Sequence, residues 1–271
     1  ARRTDRWALW CFIIGVLGVV SHFWIDESNG MVWSAAMVLL ALAAVGWRVL
    51  GRLAAGKAPV EHRVPFYLAF GNIVLAGLLG ALIGIDKSTD VLPGYVLDHV
   101  AAHAHLAALG WATFMVMGAA YRLLPMFLPA AVPRGPGLLV EALLTEIGLL
   151  TLVAGLFSGA AWAPWPGLLY VGGVALFLRR IGWMLRHRRP SPRDLVRPDL
   201  AFGHVAAALV SLLLAAAVGL WISTTPPTEV TPRLLMLYGI LGLLGFLAQM
   251  VAGISIRLLP LYAWMRQYAA A

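Results

Sequence analysis

The segment Asp98-His99-Val100-Ala101-Ala102-His103-Ala104-His105 holds three of the chain's seven histidines inside an otherwise apolar run. A polar imidazole is costly in hydrocarbon, so histidines placed there are functional candidates. Neutral imidazole is also a good ligand for iron and copper. Their spacing limits what they could hold. At about 100° per residue in an α-helix, His99 and His103 fall about 40° apart, on one face, where both could grip one metal. His103 and His105 fall about 200° apart, on opposite sides. A regular helix cannot offer both to one metal, but two centres flanking it could take one each. Two haems, or a haem and a second metal such as copper, fit that arrangement.

Further candidates lie elsewhere. His22 stands beside Phe23 and Trp24 near the end of another apolar run, and His204 near the start of a later one. At ~1.5 Å per residue, His22, His103 and His105 lie within roughly two turns of one membrane face, and His204 within about two turns of the other. His22 is therefore expected to share a haem with His103 or His105, while His204 serves a separate site or none. His99 beside Asp98 also suits a polar residue at headgroup level. His62 and His187 fall among basic residues and are expected to be solvated in loops. Glu146 lies deep in an apolar run with no basic partner in sequence; a protonated acid, a proton-path residue and a hydrogen-bonding partner to another helix remain open. Arg122 precedes Leu123-Leu124-Pro125 and could snorkel to the interface or pair with a haem propionate. Met115, Met117 and Met250 read as helix-packing residues.

The elements that must position these side chains follow from composition. The 271 residues are 61% hydrophobic and 12% charged, against about 45–50% and about 25% for a globular protein. Mean hydropathy is +0.86. This excludes a soluble enzyme on a single anchor and points to an all-α polytopic membrane protein. Apolar runs at 7–25, 31–50, 64–85, 98–124, 136–157, 164–184, 199–222 and 232–259 predict about eight transmembrane helices. Loop chemistry separates several of them, as at Asp26 to Gly30, Pro133 to Pro136, Pro190 to Pro198 and Thr224 to Pro227. Arg2, Arg3 and Arg6 precede the first run without a small-residue cleavage pattern, so that run is expected to be a span. Cys11 is the single cysteine and stands in an apolar run, which excludes disulfides, paired redox thiols and cysteine-held iron–sulfur clusters.

Charge supplies direction. With the N-terminus in the cytoplasm, 18 of the 20 lysines and arginines fall on the cytoplasmic side, leaving Lys87 and Arg233 outside. That asymmetry predicts an inner (cytoplasmic) membrane protein with both termini cytoplasmic. A pI near 10.2 then reports topology and not a nucleic-acid partner. Trp7, Trp24, Trp33, Trp47, Trp162, Trp165 and Trp221 sit near span ends, as interfacial belts do, whereas Trp111 lies deep in a span.

The chain also repeats itself. Leu68-Ala69-Phe70-Gly71 recurs as Leu200-Ala201-Phe202-Gly203, and Arg122-Leu123-Leu124-Pro125 recurs as Arg257-Leu258-Leu259-Pro260, with Gly110/Gly245, Met115/Met250 and Gly118/Gly253 at the second offset. Two parallel four-helix units are expected, 1–130 and 131–271. Four spans per unit is an even number, which disfavours the inverted repeats of many carriers.

His103-Ala104-His105-Leu106, followed by Gly110, Met117-Gly118 and Arg122-Leu123-Leu124-Pro125, resembles the His-x-His helix of haem–copper oxidase subunit I. It is also similar to the His-x-His, Gly-rich helix of the NnrS family of haem- and copper-containing membrane proteins linked to nitric-oxide tolerance. The resemblance covers 101–126, with an echo in 238–261. It implies that His103 would hold a high-spin haem and His105 a low-spin haem on the other face. The oxidases also need a His-Pro-Glu-x-x-x-Tyr segment and a His-His pair for copper, and neither occurs in this chain. Tyr238 and Ile240 replace the two histidines in the second repeat.

The resulting expectation is a haem b-binding membrane protein with one or two haems and copper as a further candidate metal. It would work in electron transfer or in nitric-oxide and other gas-ligand handling, as an oxidoreductase component and not as an oxygen-reducing oxidase. Its partners would be the bilayer and a redox partner or other membrane subunits. Two other classes stay open: a copper or zinc transporter using His22, His99 and His103, and a non-catalytic subunit of a larger complex.

Overall fold

A computed structural model describes residues 3–127, 130–158, 164–189 and 200–268, and every regular element among them is helical. In chain order they are α1 (Arg3–Trp24), α2 (Ser28–Ala55), α3 (Val60–Thr89), α4 (Val96–His105), α5 (Thr113–Phe127), α6 (Gly137–Ser158), α7 (Pro164–Arg186), α8 (Leu200–Thr224), α9 (Thr231–Ile240) and α10 (Gln249–Tyr268). A π-helical segment, Leu106–Ala112, joins α4 to α5, and another, Leu241–Ala248, joins α9 to α10. Counting each interrupted run as one, eight helices are long and apolar enough to cross a membrane. Large apolar side chains cover their outer surfaces; Trp24 is 89% exposed and Trp47 84%. Such a surface needs a lipid bilayer around it. Arg2, Trp162 and the expected Pro190–Pro198 loop with Arg193 and Arg197 lie outside the described residues.

The turns use the chemistry the sequence offers. Asp26 and Asp90, after α1 and α3, take left-handed φ values of 59° and 50°, which Asp tolerates better than most residues. Gly135 leads into α6 at φ 104°, a conformation that favours glycine.

Two compact units divide the chain: Ala1–Leu124 with Val132–Phe177, and Pro125–Ala131 with Leu178–Ala271. By packing, the fifth span and most of the sixth join the first four, so these units differ from a boundary near residue 130. Within the first unit α3 packs on α2, α4, α6 and the Leu106–Ala112 segment, which makes it the central helix. Small residues allow the close approaches. A Cβ on Gly46 would lie 2.8 Å from the Phe70 ring, and Gly173 sits directly on Thr145. Within the second unit α8 packs on α9, α10 and the Leu241–Ala248 segment.

The interruption of the fourth span departs from a regular helix. The two π segments begin at Leu106 and Leu241, the same separation as the second sequence repeat. In each, a repeated glycine meets the preceding long helix: a Cβ on Gly110 would lie 2.7 Å from Asn72 Cβ on α3, and one on Gly245 would lie 2.7 Å from Ser211 Cβ on α8. Eight residues, about two turns, onward, Gly118 abuts Phe66 on α3, and Gly253 abuts Ala201 and His204 on α8. Single-turn π insertions within α-helices occur often at functional sites.

Candidate functional site

Between α1, α2, α3 and α4 lies a cavity of about 600 Å³, within the roughly 300–1,000 Å³ of small-molecule sites. Valines, leucines, Phe23 and the glycines of α3 form its walls, and His103 is the one histidine lining it. The His103 Nδ1–H donates to the Ala76 carbonyl oxygen of α3 at 2.8 Å. A carbonyl can only accept, so this bond fixes the proton on Nδ1 and leaves Nε2 as the lone-pair nitrogen of the neutral ring. Metal-binding histidines are commonly oriented by such a second bond. Gly80 makes room for the ring: a Cβ there would sit 2.8 Å from His103 Cε1.

Two other polar groups border the cavity. Lys87 pairs with Asp26, with its Nζ 5.5 Å from the centre of the Phe23 ring. Met31 adds a thioether. Neither was singled out from the sequence. Lys87 could have been, because it is one of two cations on the side expected to be outside; Met31 carries no such mark. The cavity is thus apolar, with one oriented imidazole and one Asp26-paired cation at its margin.

The other histidines are held apart from this cavity. His22 donates its Nδ1–H to Gly18 O in its own helix at 2.7 Å, and its ring rests on Gly30. Expected at the depth of His103, it is not part of the cavity lining. His105 donates to Ala101 O at 2.7 Å and immediately precedes the π segment. His99 is 1% exposed; it packs on Phe157 of α6 with ring centroids 4.8 Å apart, and among the described residues neither ring nitrogen has a hydrogen-bond partner. So His99, expected on one face with His103, meets α6 while His103 meets α3. Among the described residues no three His, Cys, Asp or Glu side chains converge as a metal site. In the second unit His204 Nδ1 bonds Gln249 Oε1 of α10 at 2.6 Å, an inter-helix contact that needs no metal.

Glu146 accepts a hydrogen bond from Asn72 Nδ2 of α3 at 2.9 Å and so partners a neighbouring helix. Glu141, not picked out from the sequence, is 1% exposed and accepts from the Tyr121 hydroxyl of α5. One turn on, Thr145 returns its hydroxyl to Glu141 O at 2.8 Å. Tyr170 OH donates to Leu109 O within the π segment at 3.2 Å, one of the carbonyls a widened turn re-aims. These acids anchor α6 to α3 and α5.

His62 corrects the solvated-loop expectation. α3 starts at Val60, and its uncapped first turn carries the ring inward, where Nε2 donates to Pro133 O at 3.0 Å. His187 is exposed and stacks on Trp183 with ring centroids 4.7 Å apart. Arg122 lies 19 residues beyond His103 in the same span, roughly 28 Å at ~1.5 Å per residue. It lines a separate pocket of about 240 Å³ with Arg52, Lys57 and His62. Compared with family models, curated proteins and solved structures, the chain finds no match.

Proposed function

We propose that this chain is an integral membrane haem b protein. The observation that carries the reading is the His103 imidazole, clamped by Ala76 O and lining an apolar cavity of about 600 Å³. His103 would be an axial ligand and Lys87 a propionate partner, released from Asp26 or shared with it. Bound haem would supply one-electron redox chemistry and an iron that takes small gas ligands. The protein's own work is to orient the imidazole, keep the cavity dry and fix one carboxylate at its rim. His103 is the one histidine in the lining, and Met31 would be a second side chain close to a bound group.

Similarity of 101–126 to the His-x-His helix of haem–copper oxidases and of the NnrS family supports the same cofactor. Second-repeat loss of both histidines supports one haem in the first unit. The paired π segments support descent of the two halves from one parallel four-helix unit, and the cation asymmetry supports an inner-membrane orientation with cytoplasmic termini. A redox or membrane partner would exchange electrons with the haem. A zinc or copper carrier using His22, His99 and His103 is the weaker reading, since those rings have separate neighbours. Spectra of the purified full chain test the proposal: a Soret band and a reducible α-band are expected, and a colourless protein after expression with ample haem would refute it.

A further inference from the structure

At the opposite end of the first unit from His103, three cations surround one pocket. Arg52 ends α2, Lys57 stands in the turn after it, and Arg122 reaches in from α5, around a space of about 240 Å³ that His62 and Phe66 of α3 also line. None of the three cations forms an ion pair among the described residues, whereas Arg48, one turn from Arg52, pairs with Asp5.

Backbone charge adds to this. A helix N-terminus presents unpaired N–H groups and a partial positive charge, a helix C-terminus the reverse. α3 begins beside this pocket with Pro59 as its cap residue and no side-chain cap; its first turn also carries Glu61, and the His62 N–H is taken by Pro59 O at 3.1 Å. The competing negative end of α2 is covered: Arg63 Nη1 donates to Leu53 O at 3.4 Å and to Ala54 O at 3.2 Å. Gly56 N–H takes Leu53 O as well, at 3.2 Å. Two carbonyls that would repel an anion are thus occupied, while three side-chain cations stay at hand. His62 is held at the base by Pro133, and Phe66 with Leu53 supplies an apolar floor.

We propose that this pocket binds a phosphate group, carried by the headgroup of an anionic phospholipid or by a soluble phosphate ester. Basic pockets between helices at the cytoplasmic face suit such headgroups. Arg122 then serves this anion and not the cofactor near His103, so the site stands independently of haem.

The test uses the full chain in mild detergent, stripped of lipid and titrated with phosphatidylglycerol, phosphatidylcholine or inorganic phosphate under native mass spectrometry. One phosphatidylglycerol is expected to bind in preference to phosphatidylcholine. The triple variant Arg52→Gln, Lys57→Gln, Arg122→Gln is expected to bind roughly 100-fold more weakly, about fivefold per charge removed. Arg266→Gln, on exposed α10, should bind as wild type, and Arg122→Lys should retain most of the affinity, which guards against misfolding. Binding of inorganic phosphate that the triple variant loses, without a phosphatidylglycerol preference, would assign the pocket to a soluble ester. Absence of both ligands from the wild type, or an unaltered triple variant, overturns the proposal.

Discussion

His103 and Ala76 are joined across the α3–α4 interface by a 2.8 Å bond from imidazole Nδ1–H to backbone carbonyl. The acceptor is main chain, so no substitution at residue 76 removes it, and the ring orientation depends instead on the space beside it. That space is Gly80, whose added Cβ would fall 2.8 Å from His103 Cε1. Gly80→Ala is therefore expected to cost about 1–3 kcal/mol by overpacking and to weaken haem retention by roughly 10–100-fold, as loss of a ligand-orienting contact does. Thermal unfolding and haem content per chain measure the two effects. An unchanged haem affinity would show that the clamp is not needed.

Asn72 and Glu146 form a polar pair between α3 and α6. Removing one partner leaves the other in low dielectric, so Asn72→Leu is expected to destabilise the first unit by about 1–2 kcal/mol. The double variant Asn72→Leu, Glu146→Leu should recover part of that loss, because neither polar group remains. Equal losses in the single and double variants would mean that the pair contributes nothing as a pair.

His99 gives a prediction of opposite sign. Its ring is buried against Phe157 with both nitrogens unpartnered, a state that costs about 1–3 kcal/mol. His99→Phe should therefore keep or raise the unfolding temperature and leave haem content unchanged. Loss of haem in this variant would make His99 a ligand after all.

The Tyr121–Glu141 pair joins α5 to α6 deep in the first unit. Tyr121→Phe keeps the ring against Phe177, with which it makes an edge contact at 5.8 Å, and deletes only the hydroxyl. A loss of about 1 kcal/mol is expected, read from thermal unfolding in detergent. A much larger loss, with haem retained, would point to a wider network through Glu141.

What was legible in the sequence and what was not divides along physical lines. Hydrophobic runs mark which residues can cross hydrocarbon, so seven of the eight spans fall within about five residues of their expected positions, while the last runs on to Tyr268, nine residues past its expected end. Residue counting gives an expected depth along a span, which put His22 and His103 at one level. Depth does not give azimuth: His22 turns onto Gly30 and His103 onto α3. The π segments were hidden because seven or eight residues, mostly Leu, Ala and Gly with Trp111 or Phe246, have no period of their own. His62 read as a loop residue because the basic run around it masks a helix that begins at Val60. Glu141 was overlooked because nothing in sequence brings Tyr121 to it.

The central claim is that His103 holds a haem. Pyridine haemochrome spectra with iron quantified per chain, on wild type and on His103→Ala, test it most directly. About one haem b per chain is expected in the wild type, with haem and Soret band lost in His103→Ala while His22→Ala and His204→Ala stay close to wild type. A His103→Ala protein that folds and keeps its full complement of haem would contradict the account.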